Sequence, residues 1–197
     1  NTKRVVKQYA PTPKDGSVDV LSRHEAMAAI DPKRSTFVLA RNVSKVRGVA
    51  ADLFRAGVPY VSERGGVSPL SRPTLVGAIN TAARIAAGDD VSNRALAELG
   101  EYVPAGLWGP RGTKATIMAR AAIDPDDVTD WPLQTLRAAV LEHGPVGVLT
   151  LKVDADVRAY LQRLLDQHGE IPKPVVIVTT FHGSKGREAD HVIVFSD

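Results

Sequence analysis

The chain has 197 residues, of which 44% are hydrophobic and 24% charged, with a formal net charge of +3; that is the make-up of a globular chain long enough for one large domain or two small ones. The absence of cysteine excludes a disulfide scaffold and any thiolate-based metal or catalytic site, and is compatible with the cytosol. No uninterrupted apolar run approaches the roughly 20 residues that span a bilayer.

The opening NTKRVVKQYAP has no apolar core of the signal-peptide kind. It has no initiator Met, and the chain stops inside an apolar run at VIVFSD, so it reads as a piece of a longer protein. GSVDVLS alternates like a strand, with Val18, Val20 and Leu21 as its apolar positions. Ser22 and Glu25 form an S-x-x-E capping box that opens a short helix through Ile30. STFVLA, 35–40, suits a buried strand. Val46, Val49, Ala50 and Leu53 then make one helix face, with Gly57 placed to cap it. VPYVS, 58–62, reads as another strand. This alternation of strand and helix predicts a parallel sheet with crossover helices.

Turn residues cluster in ERGGVSPLS, and the period then changes. Leu75, Ala78, Ile79 and Ala82 make a helix face closed by Gly88. Further helices are expected over about 92–102 and 113–123, and from Asp130-Trp131-Pro132, with Pro at the first helical position, to Gly144. GPVGVLTL, 144–151, fits either a strand or an extended connector. Asp154 heads a helix that buries Val157, Leu161, Leu164 and Leu165 and ends at Gly169. VVIVTT, 175–180, is the strongest buried-strand candidate, and HVIVF, 191–195, its expected neighbour. Charge is uneven along this order: residues 1–73 carry 13 Lys and Arg against 6 Asp and Glu, a balance of +7, and the remainder balances at −4. This favours an anionic partner for the first part, or is simply an uneven solvated surface.

The segment between the last two strands, TTFHGSKGREADHVIVF, concentrates small, polar and charged residues. Ligands of open parallel sheets bind beyond the carboxyl ends of the strands, and this loop starts there. Gly183 and Gly186 permit unusual backbone angles or a close backbone approach to a ligand. Thr180, Ser184 and backbone N–H groups are possible donors to phosphate oxygens. Lys185 is a point charge for phosphate, and Glu188 is an acceptor for ribose hydroxyls. Read from its residues alone, the loop fits a nucleotide site, a nucleic-acid site, or a polar turn with a solvated Lys and Glu.

The same stretch resembles the fifth helicase motif of superfamily 1 DNA helicases of the UvrD/Rep/PcrA type, approximately T-[LIF]-H-x-[SA]-K-G-L-E-[FWA]-x-x-V. Thr180, Phe181, His182, Ser184, Lys185, Gly186 and Glu188 match in order, and Val192 falls where the next strand's Val belongs. Arg187 stands where the family carries Leu. FVLARNVSKVRGVAADLFRAGVPY, 37–60, is similar to the family's strand–helix–strand segment through Arg41, Arg47, Leu53, Ala56, Gly57, Val58, Pro59 and Tyr60. The family's Asn, two residues after the first Arg, is Val43 here, with Asn42 one place early. Asn1, Arg4 and Lys7 fit the segment after the family's fourth motif.

The resemblance implies a RecA-like α/β fold: a parallel sheet with flanking helices, interrupted by a mostly helical inserted subdomain. It places the first part of the second RecA-like domain at 1–65, a reduced 2B-like helical insertion at 66–170, and the return to the RecA-like domain at 171–197. It further implies a cytoplasmic, ATP-dependent 3′-to-5′ helicase of DNA repair or replication, acting on single-stranded DNA and duplex junctions with ATP and Mg²⁺. The P-loop motor domain of the same protein, with its metal ligands, and the arginine-finger motif would lie outside this chain. The chain alone should therefore lack ATP turnover, catalytic residues and metal ligands. By the resemblance, Glu188 holds the ATP ribose, Lys185 and Gly186 couple nucleotide to DNA, and Arg41, Thr180, His182, Ser184 and Arg47 serve the single strand. The alternatives are a non-catalytic RecA-like module that binds DNA or a partner, and the motor part of a helicase–nuclease.

Two other signals point elsewhere. GPRGTKAT, 109–116, lacks P-loop spacing. Asp124, Asp126, Asp127 and Asp130 lack the Gly and Glu of a calcium loop, and read as caps and a solvated turn.

Overall fold

In the computed structural model, residues 17–31, 33–64, 68–150 and 154–195 are described; the matches at Asn1, Arg4 and Lys7 lie outside them. Helix α1 (Arg23–Ala28) is headed by the expected capping box. The Glu25 amide donates to Ser22 Oγ, and the Ser22 amide donates to the Glu25 carboxylate at 2.8 Å. The described residues before it, 17–22, form no strand. Val18 and Val20 are 96% and 100% exposed, because alternation makes a strand only where a neighbouring strand supplies the ladder.

Strand β1 (Thr36–Ala40) is buried along its whole length. Asn42 then caps helix α2 (Val43–Ala56), which buries Val46, Val49, Ala50 and Leu53 and ends at Gly57 with φ 72°. This is the predicted face and the predicted stop. Strand β2 (Tyr60–Ser62) is shorter than the run VPYVS. Beyond it the described residues form no strand until residue 176. Helix α3 (Pro73–Ala87) buries Leu75, Ala78, Ile79 and Ala82. Helices α4 (Asn93–Gly100), α5 (Thr113–Ile123) and α6 (Gln134–His143) follow. Pro132 is not the first residue of α6, whose first residue is Gln134. The Trp131 indole N–H donates to Asn93 Oδ1 at 2.8 Å, which holds this segment against the start of α4.

GPVGVLTL is not a strand over its described residues. Val146, Val148 and Leu149 are buried in turns, where the Val148 amide donates to the Gly144 carbonyl and the Thr150 amide to the Tyr102 carbonyl. A short apolar run reports burial without choosing a backbone.

Helix α7 (Ala155–His168) leads into strand β3 (Val176–Thr180). It packs on α2: the Tyr160 ring stacks on Phe54 at 4.6 Å, and its hydroxyl donates to the Val58 carbonyl at 3.0 Å. Burial raises the Tyr160 pKa above the ordinary tyrosine range, and Tyr60 is raised for the same reason. The side chain of Asn80 in α3 bonds both the carbonyl and the amide of Ile171, tying the helical segment to the approach to β3.

Strand β4 (His191–Phe195) completes a four-stranded sheet in the order β2-β3-β1-β4, with all pairs parallel. The four predicted strands thus share one sheet, and the protein is of mixed α/β class. Val192 and Val194 remain 54% exposed on β4, while Phe37 and Leu39, their partners in register, are buried.

Candidate functional site

The register of β1 and β3 brings the two distant sequence stretches to one edge. Ala40 is level with Thr180, and the Phe181 amide donates to the Ala40 carbonyl at 3.3 Å. Arg41 therefore leaves the sheet beside the loop that carries His182, Ser184, Lys185, Gly186 and Glu188. Arg41, His182, Lys185, Gly186 and Glu188 are exposed, and Ser184 is half-buried. Arg47 lies farther along, on the exposed side of α2.

The loop has an unusual path. β3 and β4 flank β1 and run parallel to it, so residues 181–190 cross from one end of the sheet to the other, past β1. Parallel crossovers usually take a dozen or more residues and a helix; this one has only turns. It is built tightly at its start. The Thr180 carbonyl accepts from the amides of Gly183 and Ser184 at 2.9 and 3.1 Å, and Thr180 Oγ1 accepts from Gly183 at 3.3 Å. Ser184 Oγ donates to the Phe181 carbonyl at 3.1 Å. Both hydroxyls read from sequence as phosphate partners are thus engaged within the turn, and Thr180 is buried.

The two glycines serve different ends. Gly186 has φ 79°, a conformation side chains disfavour, and space around its missing Cβ. Gly183 is required by proximity: a Cβ there would lie 2.2 Å from Thr179 Oγ1. Thr179 is fully buried, and that hydroxyl has no hydrogen-bond partner.

Beyond Gly186 the loop is fastened twice. Arg187 lies over the Phe37 ring at 4.8 Å, and its guanidinium donates to Glu63 Oε1 at 2.5 Å. Arg187 thus covers an apolar ring and adds a charge pair. At the far end, Asp190 accepts from the amide and hydroxyl of Ser35 at 3.1 and 2.7 Å, and its own amide donates back to Ser35 Oγ at 3.0 Å. Sequence reading missed Glu63, Thr179, Phe37 and the Ser35–Asp190 pair. Only the position of Glu63 directly after β2 hinted at a role.

Asn42 spends its carboxamide oxygen on the Lys45 amide at 2.9 Å as the helix cap. Val43, the next residue, is exposed. The aspartates of 124–130 act locally: Asp126 pairs with Arg94 at 3.1 Å and Asp127 with Arg120 at 3.6 Å. Two clefts among the described residues are lined by none of the loop's residues. One of about 390 Å³ is lined by Asp89, Trp131 and Arg137, and another of about 400 Å³ by Val58, Pro59, Lys173 and Val176. The candidate site is an open surface that starts with Arg41 and His182 at the carboxyl edge of the sheet and follows the crossover past β1 through Lys185, Gly186 and Glu188.

Fold and site together define an α/β protein with an all-parallel sheet among the described residues and a polar, glycine-bearing crossover loop. Compared with protein-family models, with curated proteins and with solved structures, the chain has no match. Among the described residues no helix is long and apolar enough to cross a membrane.

Proposed function

We propose that this chain is the C-terminal motor portion of a UvrD-like, superfamily 1 DNA helicase, with a RecA-like sheet interrupted by a reduced helical insertion. The carrying observation is the Ala40–Thr180 register, which joins the two helicase-like stretches at one sheet edge. Parallel sheets use that edge for ligands. Arg41 and His182 contact single-stranded DNA, Arg47 adds charge, Lys185 and Gly186 form the coupling turn, and Glu188 accepts from the ATP ribose. An open, exposed loop fits half of a nucleotide site, closed by the P-loop domain. That domain would supply the ligands for Mg²⁺; among the described residues, no three His, Asp or Glu side chains group to hold a metal. The second reading is a RecA-like module that binds DNA or a protein without turnover. It is favoured by the internal engagement of Thr180, Ser184 and Asn42, which leaves fewer polar groups for a translocating strand.

The test is a salt titration of oligo(dT) binding to this chain, followed by fluorescence anisotropy. Arg41→Ala should weaken binding and lower the slope of log affinity against log salt by about 0.7, one phosphate's share for a single strand. In a protein carrying both motor halves, Glu188→Ala should raise the KM for ATP about tenfold to a hundredfold and leave nucleotide-free DNA binding intact. An Arg41→Ala slope equal to wild type, or no oligo(dT) binding at low salt, overturns the helicase reading. Turnover that persists at an unchanged KM removes Glu188 from the nucleotide site.

A further inference from the structure

Arg187 sits between the two residues of the loop with the most specific proposed roles, Gly186 and Glu188. Its backbone is fixed by its amide, which donates to the Ser184 carbonyl at 3.0 Å. Its side chain reaches away from the loop to Glu63, the residue directly after β2. Glu63 is itself held in the sheet, since its amide donates to the Val178 carbonyl at 3.2 Å. The same short strand anchors the start of the helical segment: Ser68 Oγ donates to the Tyr60 carbonyl at 2.6 Å and caps the 3-10 turn over Pro69–Ser71. The crossover loop and the entry to the helices are therefore fastened to one three-residue strand, β2, the loop through a single ion pair. Both partners are little more than a third exposed, and the guanidinium is stacked as well as paired. A stacked, forked cation is harder to replace than an ammonium.

We propose that Arg187 is a positioning residue that ties the crossover loop to the exit of β2, so that a ligand on the loop is felt at Ser68, where the helical segment begins. A leucine at the same place would cover Phe37 without reaching Glu63. The ligand half of the proposal rests on the single-stranded DNA reading; the tie itself does not.

The test uses amide NMR on the whole chain with three variants. Arg187→Leu keeps a cover on Phe37 and removes the pair, Arg187→Lys keeps the charge, and Glu63→Gln removes the charge from the other side. Arg187→Leu and Glu63→Gln should each shift the amides of Glu63, Gly186 and Glu188. They should also speed hydrogen exchange there about two- to fivefold, the range of a partly exposed ion pair. Arg187→Lys should recover part of that loss. Oligo(dT) added to the wild type should shift Ser68 and Leu70 along with His182–Glu188, and in Arg187→Leu the loop alone. If Glu63→Gln leaves Gly186 and Glu188 unmoved, or if wild-type shifts stop at the loop, the proposal is overturned. Absence of oligo(dT) binding sinks the helicase reading instead, and the tie then stands or falls on the exchange rates.

Discussion

Adding one methyl group at Gly183 tests how the loop is seated. A Cβ at this position would lie 2.2 Å from Thr179 Oγ1, more than an ångström inside ordinary contact, while its next neighbours are at 3.4 and 3.5 Å. Thr179 is 0% exposed, in the last turn of the ladder before the loop. It can yield only by leaving its rotamer, at about 0.5–1.5 kcal/mol, or by pushing the loop off the strand. Overpacking of this kind costs about 1–3 kcal/mol in total. Gly183→Ala should therefore lower stability by about 1–3 kcal/mol, or some 2–4 °C in Tm for each kcal/mol in a chain of this size. Urea unfolding followed by far-ultraviolet circular dichroism measures it, with an unchanged m-value. The decisive comparison is the same substitution in a Thr179→Ala background. There the clashing oxygen is gone, the remaining contacts are ordinary, and the penalty should fall below about 0.5 kcal/mol, a non-additivity expected of touching residues. An equal penalty in both backgrounds, or none in the wild type, refutes the account of this glycine as a spacing requirement.

Gly147 offers a harsher case. A Cβ there would meet the His143 carbonyl oxygen at 1.9 Å, and backbone cannot rotate away, so Gly147→Ala should cost more than Gly183→Ala in the same urea assay. Alkaline pH should weaken the fold. Burial raises Tyr160 and Tyr60, so the unfolded chain releases these protons first, from about pH 10, and stability falls as pH rises past that point. Tyr160→Phe should flatten the fall while losing about 1 kcal/mol at neutral pH with the bond to Val58; a fall of unchanged steepness would remove Tyr160 as its source.

Much of the architecture was legible because local chemistry and burial agreed. The faces of α2 and α3 follow from a 3.6-residue period closed by Gly57 and Gly88. β1 and β3 follow from short aliphatic runs. Reading failed where a segment's fate depended on a partner far away. Val18 and Val20 alternate but meet no strand among the described residues. Val146 and Val148 are apolar because their turns are buried, and Trp131 is drawn to Asn93 before α6 begins. The candidate site divides in the same way. Its location at a strand end, and the exposed Arg41, Lys185 and Glu188, could be seen in the residues. That Thr180 and Ser184 would turn inward, and that Arg187 would find Glu63, depends on the sheet order, which no local pattern encodes.

That order also governs when the sheet can exist during synthesis. Among the described residues β1 pairs only with β3 and β4, and β2 only with β3; the two strands made first never pair with each other. Of the ladders described, none can form until the ribosome has released residues 176–180. At about 5–20 residues per second, TFVLA waits on the order of ten seconds for its first strand partner. Meanwhile α2 can shield one side of it, and α3 to α6 can gather on contacts made among themselves. The junction of Ala40 with Thr180 thus waits for β3, which closes beside a strand made much earlier.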